Sequence, residues 1–143
     1  MIAILSIKPK YANLILNGKK RYEFRKRAPK SKVEKVYLYS SSPTQKIVGY
    51  FTTEETISGP PKNVWEKTKH AAGIEREDYF KYFKNKKIAH AIKVKKKVRL
   101  RSMEPKEIFP NFTIPQSFIY LDITKKRKFN YVLSLFRKAR KLI

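Results

Sequence analysis

The chain has 143 residues, with 35 Lys and Arg against 11 Asp and Glu, a formal charge of +24 and no cysteine. That length suits one domain with a single hydrophobic core, and the missing thiols exclude disulfides, thiolate metal sites and cysteine nucleophiles. Self-repulsion at this charge calls for a polyanionic partner, with nucleic acid first and an anionic membrane surface second.

Residues Ile2 to Ile7 form an apolar run of strand length. Pro9 then suits a first helical turn, Tyr11, Leu14 and Ile15 recur at helical spacing, and Gly18 supplies a left-handed stop. The stretch Gly18-Lys19-Lys20-Arg21-Tyr22-Glu23-Phe24-Arg25-Lys26-Arg27 sets one glutamate among six cations. It reads as a strand with Lys20, Tyr22, Phe24 and Lys26 on one face and Arg21, Glu23, Arg25 and Arg27 on the other. Such charge marks a functional surface; the plainer alternative is a solvated edge strand guarded against aggregation.

A turn at Pro29 to Lys32 leads into a strand over Val33 to Ser41, then a second over Lys46 to Ile57, expected to pair antiparallel. Gly49 marks a bulge or a close backbone approach in the second. After Gly59 the period changes to 3.6, giving a helical insertion at about 60–85. Val64, Trp65, Thr68, Ala71 and Ala72 share one helical face, Gly73 ends it, and Tyr79, Phe80 and Phe83 face inward from a second helix that stops at Asn85.

Lys87 to Arg101 is the longest alternating stretch. Ile88, His90, Ile92, Val94, Val98 and Leu100 line one face, and Lys93, Lys95, Lys97, Arg99 and Arg101 the other. Five cations on one face complement a run of phosphates, against the alternative of a solubilising strand. Glu104 to Phe112 reads as irregular, Pro115 to Leu121 as a closing strand, and Lys125 onward as a helix. That helix has a Phe129, Val132, Leu133, Phe136 stripe and eight Lys or Arg with no acid after Asp122. The expected class is mainly β (α+β), about six strands with peripheral helices and a basic C-terminal helix. Residues 1–121 and 122–143 belong to one domain, with no linker or repeat between them.

No apolar run reaches the length of a membrane span, and the short apolar start lacks the basic region of a signal peptide. A cytoplasmic protein with no membrane partner is expected. His70 and His90 are far apart in sequence, Glu54 and Glu55 point to opposite strand faces, and no phosphate-loop, dinucleotide or nucleophile-elbow motif occurs. No metal or other cofactor is expected.

The block Ile4 to Ala12 followed by Ile15-Leu16-Asn17-Gly18-Lys19-Lys20-Arg21-Tyr22-Glu23-Phe24-Arg25 resembles the ASCH domains, supported by Ile47 to Phe51, Trp65-Glu66-Lys67 and Pro115 to Phe118. The resemblance covers residues 2 to about 121 and leaves the C-terminal helix outside. It implies a PUA-like β-barrel, with a cleft between the first helix, the charged strand and the helical insertion, suited to RNA or a modified nucleoside. RNA is the expected partner, with single-stranded DNA the second choice. In that cleft Lys8, Lys20, Arg25 and Arg27, with Lys93, Lys95, Lys97 and Arg99 of the long strand, would contact phosphates. Tyr22 or Trp65 would stack on a base and Glu23 would accept from an exocyclic amine.

Some relatives of that kind are acetylcytidine amidohydrolases, whose lysine matches Lys20 but whose threonine is replaced here by Glu23. A carboxylate cannot serve as the hydroxyl nucleophile, which argues against that reaction. The family's acidic partner falls near Glu75 to Asp78. Others are ribonucleases using Lys and Tyr, for which Lys20, Tyr22 and Glu23 are the candidate catalytic residues. A binding module is the first expectation. An RNA-directed hydrolase, or a transcription or translation regulator acting through protein contacts, is the alternative.

Overall fold

The computed structural model of the chain describes residues 2–28, 32–108 and 118–121. The strands are β1 (Ile2–Ile7), β2 (Tyr22–Arg25), β3 (Lys35–Ser40), β4 (Lys46–Gly59), β5 (Ala89–Met103) and β6 (Phe118–Leu121). The helices are α1 (Pro9–Leu16), α2 (Pro61–Thr68), α3 (Arg76–Tyr82) and the single turn α4 (Pro105–Ile108), with a 3-10 turn at Lys69–Ala71 following α2. All six strands join one mixed sheet in the order β2-β5-β4-β3-β1-β6. β1 and β3 are parallel and every other pair is antiparallel. With β2 and β6 at its two edges, the sheet is open among the described residues, and the six-strand closed barrel is not seen there.

Two apolar layers cover the sheet. On one face α1 contributes Ala12, Ile15 and Leu16 to a core with Leu5, Val36, Leu38, Phe51 and Ile92. On the other, α2 and α3 bring Val64, Trp65, Tyr79 and Phe83 against Tyr22, Phe24, Ala89 and Ala91. The helical insertion therefore has the inward face that its spacing predicts. Tyr79 is fully buried, and its hydroxyl donates to the Pro61 carbonyl at 2.8 Å, tying α3 to the start of α2. Burial pushes that phenol up to about 12.

Gly49 is a close approach as well as a bulge. The β3–β4 and β4–β5 registers both shift beside it. A Cβ at this position would lie 2.6 Å from the Val98 carbonyl oxygen and 2.7 Å from Leu16 Cδ2. The absent side chain lets α1 seat on the sheet.

Three expectations need correction. The charged strand is four residues long, Tyr22–Arg25, and Tyr22, Glu23 and Phe24 are all buried in it. The long strand does not keep its cations on one face. Its pairing slips around Lys95, where Lys96 opposes Thr52 but Val94 opposes Thr53, so an extra residue bulges and inverts the alternation. Lys93 consequently shares the face of its partner Tyr22, whereas Lys97 pairs with Phe51 on the α1 face and reaches Gly18. Third, Pro105 opens a helical turn within the segment expected to be irregular. The expected helix from Lys125 and the Pro115–Ser117 start of the closing strand lie outside the described residues.

Candidate functional site

Gly18, at φ 85°, lets the chain leave α1 in the left-handed conformation. The next residues are then held by backbone hydrogen bonds to three elements. Lys20 N–H donates to the Leu14 carbonyl, Arg21 N–H to the Ala71 carbonyl and Val94 N–H to the Arg21 carbonyl, each at 2.9 Å. Lys20 thus enters the sheet's edge pinned between α1, the 3-10 turn and β5. Gly73, at φ 64°, completes the bracket, since a Cβ there would fall 2.4 Å from Lys20 Cβ.

The side chain of Lys20 is only 3% exposed. Its Nζ donates to the Ala72 carbonyl at 2.7 Å and lies over two rings, 4.7 Å from the centroid of Phe24 and 5.4 Å from that of Tyr11. Glu23, 7% exposed, is close enough for the two charges to influence one another. Burial lowers the Lys20 pKa and the Glu23 charge opposes the shift; burial raises the Glu23 pKa and the Lys20 and Arg25 charges oppose that. Glu23 Oε2 is buried without a hydrogen-bond partner. An enclosed acceptor left open in this way requires an incoming donor or a proton.

Tyr11 was not singled out by its sequence pattern except as a helical apolar position, yet it belongs to this site. Burial raises its phenol pKa, and the charges of Asp78, Glu23 and Glu75 raise it further. Glu75 and Asp78 of the insertion are exposed. Tyr82 is raised by burial too, with Arg25 opposing.

The other expected residues are dispersed. Lys8 is exposed at the N-terminal end of α1 and Arg27 just beyond β2. Trp65 is 8% exposed and packs on Tyr79, with centroids 4.8 Å apart, so it forms part of the insertion's core. Tyr22 is buried, edge-on to His70 at 5.8 Å. Lys93 is paired with Glu54 at 3.2 Å. Lys95, Lys97 and Arg99 are exposed.

A groove of about 890 Å³, within the range of ligand pockets, opens on the α1 face of the sheet. Val36 and Ile92 lie in its floor, with Thr52, Thr56, Ser58, Lys95 and Lys96 along its sides. The polar pair is not in this groove but beside it, because Glu23 pairs with Ile92 across β2 and β5. The chemistry rather than the volume marks the site: the groove is lined by hydroxyls, cations and the carboxylates of Glu34 and Glu54, whereas Lys20 and Glu23 are buried and Glu23 Oε2 has no hydrogen-bond partner.

An open, mainly β mixed sheet with a buried lysine–glutamate pair at its edge defines a small, strongly basic protein with an enclosed polar site. The model of the ASCH domain matches residues 5–98, and the chain belongs to that family. It is 28% identical over 123 residues to an ASCH domain-containing ribonuclease of Zymomonas mobilis, covering 83% of each chain. It is also 31% identical over 119 residues to the large ribosomal subunit protein uL22 of Ureaplasma parvum, of which it spans only 38%. The crystal structure of ASCH from Zymomonas mobilis superposes with a TM-score of 0.84 at 28% identity, over 93% of this chain and 94% of that one.

Proposed function

We propose that the protein binds RNA, taking a nucleobase at the Lys20–Glu23 edge and the backbone along the basic surface. The observation that carries this is the buried Glu23 Oε2 with no partner. An exocyclic amine of a base is a neutral donor that satisfies a buried carboxylate, and reading such groups on unpaired bases is how sequence-specific RNA modules tell bases apart. Lys20 orients the carboxylate, and the exposed Lys8, Arg27, Lys95, Lys97 and Arg99 supply the salt-sensitive part. Tyr22 and Trp65 serve as walls. In this proposal residues 1–121 make the PUA-like barrel, and 122–143 make a basic helix docked on it. The Zymomonas mobilis relative named a ribonuclease supports RNA as the polyanion.

That same relative favours one second reading, hydrolysis of RNA. The lowered pKa of Lys20 suits it, since a buried amine that sheds its proton more readily is a better base. Binding of a labelled single-stranded RNA pool separates the readings. Glu23→Gln and Lys20→Ala should each weaken binding about tenfold, the scale of one lost charge-assisted hydrogen bond. Wild-type affinity in both would overturn the pocket. Cleavage of that RNA by the wild type, abolished in Lys20→Ala, would replace binding by hydrolysis.

A further inference from the structure

One polar row on the sheet runs beside Glu23, whose pKa the Arg25 charge pulls down against burial. β2, β5 and β4 are consecutive, and their registers place Arg25 opposite His90 and His90 opposite Ser58. Paired positions share a face, so these three side chains form one line across three strands, neighbours about 5 Å apart. Ser58 Oγ and His90 Nδ1 lie 2.7 Å apart in a hydrogen bond. Arg25 and His90 are half-buried and Ser58 is exposed.

The row can donate in either tautomer. If the Ser58 hydroxyl donates to Nδ1, then Nε2 of His90 carries the hydrogen and is a donor. If Nδ1–H donates, the Ser58 hydroxyl hydrogen is available. The Arg25 guanidinium adds a planar fork suited to oxyanions. No carboxylate stands in the row. The adjacent row on the same face is Glu23, Ile92 and Thr56, one alternation away, or about 6.5 Å. Ser58 lines the groove with Thr56 and Ile92, so the row reaches open space at its Ser58 end, on a rim that also carries the Glu34 and Glu54 carboxylates.

We infer that Arg25, His90 and Ser58 form a phosphate subsite, which holds the backbone phosphate of the nucleotide whose base meets Glu23. The identity of the anion as a phosphodiester rests on the RNA-binding proposal. The three-strand row itself does not.

Titration of a single-stranded RNA of fixed length at several salt concentrations tests this. His90→Ala and Ser58→Ala should keep the wild-type thermal midpoint and weaken binding about tenfold. Arg25→Gln should weaken binding and also flatten the dependence of log K on log salt by about 0.7, the value of one phosphate contact on a single strand. Glu23→Gln should weaken binding with the slope unchanged. Wild-type affinity in His90→Ala and Ser58→Ala overturns the subsite even if Arg25→Gln binds poorly, because Arg25 alone would be an ordinary surface cation. Weak binding by the row variants beside wild-type binding by Glu23→Gln would sink the base pocket and leave the subsite standing. Failure of the wild type to bind RNA would remove both.

Discussion

Lys20 and Glu23 illustrate how one enclosed pair is held by unequal means. The ammonium has a carbonyl at 2.7 Å and two ring faces, while one carboxylate oxygen has nothing. Removing Lys20 takes away one of the two charges that favour the ionised form of Glu23 against burial. The pH consequence follows from the raised Glu23 pKa. An acid whose folded pKa exceeds its unfolded value stabilises most below the unfolded value, near 4.5, and that contribution is lost as pH rises through the folded pKa. Urea denaturation of wild type and Glu23→Gln across acid to neutral pH should show the wild type losing stability relative to the variant as pH rises. Parallel curves would mean that Glu23 ionises as freely in the folded chain as in the unfolded one.

Two glycines set the geometry of β2 and its surroundings. Gly18 turns the chain out of α1, and Gly73 lets the insertion come down on Lys20. Gly73→Ala combines a left-handed residue, costing about 1–2 kcal/mol, with a Cβ that displaces Lys20. Urea denaturation should show at least that loss, and RNA affinity should fall with it. The period change at Gly59, the inward Trp65 and Tyr79, and the special character of Gly49 were all legible in the residues, because each rests on local spacing. The face of Lys97 was not, because the bulge at Lys95 depends on how β4 pairs, and alternation counted along one strand carries no record of its neighbour. Equally, the charge of Gly18 to Arg27 suggested a functional surface and did not foretell an enclosed carboxylate. Burial of Glu23 follows from how β2 is set into the fold, through the Arg21–Ala71 and Val94–Arg21 backbone hydrogen bonds beside it, contacts between segments distant in sequence.

The whole molecule carries +24, and ion pairs among the described residues, such as Lys46–Glu104 at 3.8 Å and Lys69–Glu66 at 2.7 Å, involve exposed groups that screen easily. Repulsion should therefore weigh on the fold at low ionic strength. The thermal midpoint is expected to climb as salt rises from about 0.01 M to about 0.15 M, where the Debye length contracts from ~30 Å to ~8 Å. A midpoint that falls over that range would show attractive pairs outweighing repulsion. No helix among the described residues is long and apolar enough to cross a membrane. The strand order has one further effect. β2 has β5 as its neighbour in the sheet, with Tyr22 against Lys93 and Arg25 against His90, although β1 and β3 flank it in the chain. On the ribosome, the basic segment around Lys20 emerges early and must wait for Ala89 and its successors before it has a template. Until then a nascent chain carries this cationic stretch without its strand partner, and a product truncated ahead of Ala89 would contain every residue of β2 while lacking the strand it pairs with.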